Sequence, residues 1–109
     1  MKKKLKKEQL NQIKDELLSL GFNIDSYGIF LWIDAFKIIY SESIIDVKES
    51  ITAIRGEIAK HFKTTTMAVD RAMRTSLEPA KKQIKKKYKY PGTITQATFI
   101  NIIRLKYFD

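Results

Sequence analysis

The thirteen residues Gly28 to Tyr40, GIFLWIDAFKIIY, constrain the fold more than any other stretch. Only Gly28, Asp34, Lys37 and Tyr40 interrupt an otherwise apolar run. A segment this hydrophobic has to be enclosed by the rest of the chain, yet it is too short to cross a bilayer as a helix. Its length suits a helix, and no alternating partner strand accompanies it, so a buried central helix is expected. Trp32 and Phe36, spaced i and i+4, would be its core anchors. In a chain of 109 residues, 44% of them hydrophobic, this predicts one domain around one core. The fold class expected is all-α, a compact domain of about five to six helices.

Charge narrows the function. Lys and Arg number 21 against 12 acids, a formal net charge of +9. On so small a domain this favours a polyanionic partner, whether DNA, RNA or an anionic surface. There is no cysteine, which excludes disulfides, thiolate metal sites and a Cys nucleophile. The single histidine, His61, reads as a surface residue near a helix C-terminus, and a multi-histidine metal site is excluded. No carboxylate pair, Gly-rich phosphate loop or nucleophile–base set stands out, and Asp15, Glu16 and Glu42 read as surface charges. The expectation is a non-enzymatic cytoplasmic protein with no cofactor and no membrane partner.

Ile58 to Leu77, IAKHFKTTTMAVDRAMRTSL, has the layout of a helix-turn-helix. The turn is Lys63, Thr64 and Thr65, and it lacks the glycine often found there. Thr65 is the expected N-cap of a second helix over about 66–77. At about 100° per residue, Val69, Ala72, Met73, Ser76 and Leu77 share one side of that helix. Met67, Arg71, Arg74, Thr75 and Glu78 lie opposite, with Asp70 at the edge. Arg71 and Arg74 suit bidentate contact with guanine, Asp70 could accept from cytosine N4, and Thr75 could touch a base or a phosphate. Thr65 and Thr66 at the helix start are candidate phosphate contacts. An ordinary solvated helix face is the alternative.

Around this core motif, a first helix is expected from about Lys6 to Leu20, stopped by Gly21 at C′ and closed over by Phe22. Residues 1–7, with five lysines, read as a basic arm or a frayed end. Asp25 or Ser26 should cap the apolar helix. Residues 41–49 read as a loop or short turn, with Ser50 or Thr52 capping a helix that runs to Phe62. Gly56 inside that helix suggests close packing. Pro79 should end or kink the recognition helix near Leu77, leaving residues 80–86 as a separate helical turn. KKQIKKKYKY, residues 81–90, carries six lysines. Lys81, Lys82, Lys85, Lys86 and Lys87 are its candidate phosphate contacts, and Tyr88 and Tyr90 are expected to pack on the domain. After Pro91-Gly92, Thr93 or Thr95 should cap a last helix to about Phe108. Its apolar residues Phe99, Ile102, Ile103 and Leu105 would cover the core, with self-association as a second use.

The stretch from Gly28 to Leu77 resembles the C-terminal DNA-binding domain of stage zero sporulation protein A, a response regulator of endospore formation. The resemblance is carried by Gly28, Asp34, Ala35 and Tyr40, by Ser50-Ile51-Thr52, and above all by Ile58 to Thr65 followed by Val69 to Arg74. Thr95, Phe99 and Ile100 extend it. It implies an all-helical domain of about six helices that reads duplex DNA, often as two copies on adjacent sites. It places the base-reading positions on Asp70, Arg71 and Arg74, with Thr75 beside them. Met67 and Ala68 depart from the polar or basic residues usual early in the recognition helix, and the lysine cluster replaces a longer, less basic connection. The family's receiver domain has no counterpart before the resemblance, so a stand-alone regulator is expected. Its partners would be double-stranded DNA, a second copy on tandem sites, or another regulator protein. The last corresponds to an alternative function, a protein-interaction module that keeps the fold and no longer reads DNA; RNA binding is a third.

Overall fold

The computed structural model describes residues 4–108, so the expected arm over residues 1–7 is described only from Lys4 onward. Six α-helices follow one another: α1 Lys7–Ser19, α2 Tyr27–Ser41, α3 Val47–His61, α4 Thr66–Leu77, α5 Lys81–Tyr88 and α6 Gln96–Tyr107. A single 3₁₀ turn, Glu78–Ala80, joins α4 to α5. No strand occurs among the described residues, which makes the fold all-α. None of these helices is long and apolar enough to cross a membrane.

The apolar run forms α2, as its length predicts. The Ser26 hydroxyl caps it by accepting from the Gly28 N–H at 3.1 Å. Ile29, Leu31, Trp32, Ala35, Phe36 and Ile39 are all buried, so α2 faces protein on most sides. It packs on α3 and α4, while α6 and α1 close the remaining sides. At the centre, Phe99 of α6 stacks on Phe22 at 5.5 Å and meets Trp32 edge-on at 5.2 Å. Phe36 packs on the Trp32 and Phe99 rings. Edge-on and offset pairs of this kind add about 0.5–1.5 kcal/mol each beyond burial.

The crossing of α2 with α4 is tight at Gly28. A Cβ on Gly28 would lie 2.6 Å from Ser76 Cβ and 2.9 Å from the Ala72 carbonyl oxygen. The Trp32 indole N–H sits over the same turn, donating to Ser76 Oγ at 2.9 Å and to the Met73 carbonyl at 3.2 Å. Gly56, expected from its helix position to mark close packing, does not: a Cβ there meets nothing within 4 Å. Its small size serves no contact.

Three helix ends share one design. After α1, α2 and α3 the chain turns through a left-handed residue, Gly21, Ser43 and Lys63 respectively. The next residue's N–H then reaches back five positions to the helix: Phe22 to Leu17, Ile44 to Ile39, Thr64 to Ala59. This is the Schellman arrangement, which satisfies carbonyls otherwise left open. The start of α3 differs from expectation. Asp46, not Ser50 or Thr52, is the N-cap, accepting from the Glu49 N–H at 3.1 Å. The carboxylate caps one turn earlier, and that lets Val47 bury fully. Thr95 caps α6 as one of the two expected residues, accepting from Thr98 at 3.1 Å. Leu105, expected to cover the core, points outward at 80% exposure, and Ile100 takes the buried position.

The two glycines make opposite predictions. Gly56→Ala should raise stability by about 0.5–1 kcal/mol, because it removes backbone entropy from the unfolded chain without a clash. Gly28→Ala should lower it by about 1–3 kcal/mol, because α2 and α4 must separate. Urea denaturation of both variants checks this. Equal effects at the two positions would contradict the crossing described.

Candidate nucleic-acid interface

The turn between α3 and α4 is built from Phe62 to Thr65. Lys63 takes the left-handed position at φ 54°, where glycine is usual. The missing glycine therefore does not abolish the turn; a lysine adopts the strained conformation. Thr65 then caps α4, its hydroxyl accepting from the Ala68 N–H at 3.1 Å.

The sides of α4 are as the periodicity predicts. Val69, Met73 and Leu77 are buried, with Ala72 and Ser76 half-buried beside them. Met67, Arg71, Arg74, Thr75 and Glu78 are exposed on the other side, as are Thr65 and Thr66 at the start. Arg71, Arg74 and Thr75 thus share one solvent-facing surface. Among the described residues the Arg71 side chain has no ion-pair or hydrogen-bond partner, which leaves its guanidinium to solvent.

Asp70 lies elsewhere. It is half-buried at the seam of α4 with α3 and α6. Its Oδ1 accepts from Gln96 Nε2 at 2.9 Å and pairs with Arg55 Nη2 at 3.2 Å, and its Oδ2 pairs with Arg74. The acceptor capacity proposed for cytosine is engaged within the protein. Arg55 and Gln96, which complete this cluster, carry no motif and are 41 positions apart, so only the fold reveals them.

The lysines divide into two groups. On α5, Ile84 is buried and Tyr88 half-buried, which turns Lys82, Lys85 and Lys86 outward on the i, i+3, i+4 spacing. Among the described residues these three have no ion-pair partner. Lys81 pairs with Glu78 at 3.0 Å. Lys87 donates to Glu16 Oε1 at 2.7 Å, and so points back at α1. Tyr88 packs on the domain as expected, and its hydroxyl also donates to Glu16. Tyr90 packs against the core without that bond.

Glu16, read from the sequence as a surface charge, is 5% exposed. It accepts from Lys87, Tyr88 and Tyr107, the last at 3.0 Å, with the Lys106 ammonium 4.0 Å away. A side chain on the third turn of an amphipathic helix gives no warning of partners 71 to 91 positions away. Burial pushes its carboxyl up, but the three hydrogen bonds and the Lys106 charge outweigh that and hold it below the ordinary value. Burial and the same carboxylate push the Tyr107 phenol up to about 12 and the Tyr88 phenol further. His61 is exposed, with Nδ1 2.8 Å from Asp34 Oδ2.

Compared with known proteins, the chain matches no family model, no curated protein and no solved structure.

The Glu16 cluster predicts two limits of stability. On the alkaline side, unfolded phenols lose protons from about pH 10 while the folded ones keep them, so stability falls as pH rises from 10 through about 12. On the acid side, the unfolded carboxyl takes its proton from about pH 4.5 and the folded one later, so stability falls as pH drops below that value. NMR titration of the tyrosine rings should show Tyr107 ionising near pH 12 and Tyr88 later still. Ionisation of both near pH 10 with the fold intact would contradict the cluster.

Proposed function

We propose that the protein is a sequence-specific duplex-DNA-binding transcriptional regulator of the sporulation-regulator effector type. The observation that carries this reading is the two-sidedness of α4. Its inner face is locked into the core through Trp32, Val69 and Met73, and its outer face offers Arg71, Arg74 and Thr75 to solvent. A helix held this way after a tight turn can enter a major groove with its arginines toward base edges. The net charge of +9 supports a polyanionic partner.

In this reading Arg71 and Arg74 contact guanine and Thr75 touches a base or phosphate. Lys82, Lys85 and Lys86 neutralise phosphates, joined by Thr65 and Thr66 at the start of α4. Lys81 and Lys87 already have acidic partners, so they contribute less. The protein binds without catalytic chemistry or a cofactor, acts in the cytoplasm, and places two copies on tandem sites.

A second reading rests on Met67, 73% exposed in the first turn of α4. An apolar side chain leading the outer face suits a protein partner, and the domain would then bind and modulate another regulator.

Selection from a random duplex library at physiological salt tests the first reading. It should return a consensus. Arg71→Ala should cost about 1–3 kcal/mol on that site and little on random DNA. Replacing Lys82, Lys85 and Lys86 together should weaken all sequences alike and flatten the log–log salt slope by about two to three units. A stable heterodimer with another protein, and no duplex binding even at low salt, would favour the second reading instead.

A further inference from the structure

We propose that Asp70 is a positioning residue: it aims the Arg74 guanidinium at one base, and Gln96 and Arg55 hold it in place to do so. The proposal rests on the DNA-reading assignment and names how one of its arginines is set.

The geometry is a closed ring spanning three helices. Gln96, at the first position of α6, is 8% exposed. Its Oε1 accepts from Arg55 Nε at 3.2 Å and from Arg55 Nη2 at 2.9 Å. Its Nε2 donates to Asp70 Oδ1 at 2.9 Å and to the Asp70 carbonyl oxygen at 3.3 Å. Arg55 Nη2 also pairs with Asp70 Oδ1 at 3.2 Å. Both ends of the Gln96 amide are thus used, the acceptor end on the guanidinium and the donor end on the carboxylate. Rotation of the amide would set donor against donor and acceptor against acceptor.

What remains of Asp70 is its second oxygen, Oδ2, and that oxygen holds Arg74 one helical turn on. The Arg74 side chain is 65% exposed beyond this contact. A guanidinium has five N–H donors, so one bond to Asp70 through Nη2 leaves others for guanine O6 and N7. An unsupported arginine loses rotamer freedom when it docks, and one already held by a fixed carboxylate loses less. Arg71 has no such partner among the described residues, so its geometry is set on binding. The carboxylate has a second effect. It places a negative charge beside the readout position, which disfavours a displaced phosphate taking the place of the intended edge.

The test is library selection with four proteins: wild type, Gln96→Met, Arg74→Ala and the double variant. Gln96→Met removes the two amide bonds to Asp70, leaving the Arg55 pair as its remaining inner contact, and keeps every exposed side chain of α4 in place. Circular dichroism first establishes that it folds; Asp70→Asn replaces it if it does not. Gln96→Met should lose about tenfold preference at a single base pair, the same one that Arg74→Ala loses. Its affinity for random duplex should stay within about twofold, because no phosphate contact is removed. The double variant should discriminate no worse than Arg74→Ala alone, since both act through one contact. NMR of the free protein should show the Arg74 Nε–H signal broadened or shifted in Gln96→Met. An unchanged consensus, a uniform loss across the site, or additive losses in the double variant would overturn the positioning role while leaving DNA reading intact. A wild-type protein that returns no consensus would overturn both.

Discussion

The close crossing of α2 on α4 governs the rest of the molecule. It depends on Gly28, whose missing Cβ lets α2 meet Ser76 and the Ala72 carbonyl, and on the Trp32 N–H bonded to Ser76 and Met73. Burial alone would hold α4 against the core, but apolar contact is non-directional and tolerates rotation about the helix axis. The indole bonds do not. They select one rotation, with Met73 and Ser76 inward, and that rotation sends Arg71, Arg74 and Thr75 to solvent. An interior contact therefore decides which residues the surface displays.

Two acids, Glu16 buried and Asp70 half-buried, refine that display. Glu16 draws Lys87, Tyr88 and Tyr107 toward α1 and thereby orients α5, so that Lys82, Lys85 and Lys86 are the lysines left outward. Asp70 joins α3, α4 and α6 through Arg55 and Gln96 and holds Arg74 from the side. In both clusters a carboxylate is satisfied by several donors, and for the buried Glu16 that is the condition under which a buried charge is tolerated. Of the basic residues near α4, these acids hold some and leave others free.

Much of this was legible in the sequence, and the unread part has a common cause. The sides of α4 followed from helical period, and the caps at Ser26, Thr65 and Thr95 from short polar side chains before apolar runs. Pro79 marked the end of α4, and Gly21 marked the end of α1 through its positive φ. These are local signals, written within a turn of where they act. Glu16, Arg55 and Gln96 were missed because their partners lie tens of residues away, beyond any periodicity. Gly56 was misread because a glycine in a helix looks the same whether a neighbour presses on it or nothing does. Lys81 and Lys87 were grouped with their neighbours because composition sees a lysine run, while the fold sees which side each faces.

The most direct measurement is an amide and side-chain NMR titration of the protein with a mixed-sequence duplex at physiological ionic strength. The account predicts shifts confined to the outer face of α4 around Arg71, Arg74 and Thr75, the Thr65–Thr66 entry, and Lys82, Lys85 and Lys86, with the Trp32 indole proton unmoved. Shifts centred elsewhere, such as around the exposed Ile45 and Leu105, or a Trp32 signal that moves because α4 leaves the core, would contradict it.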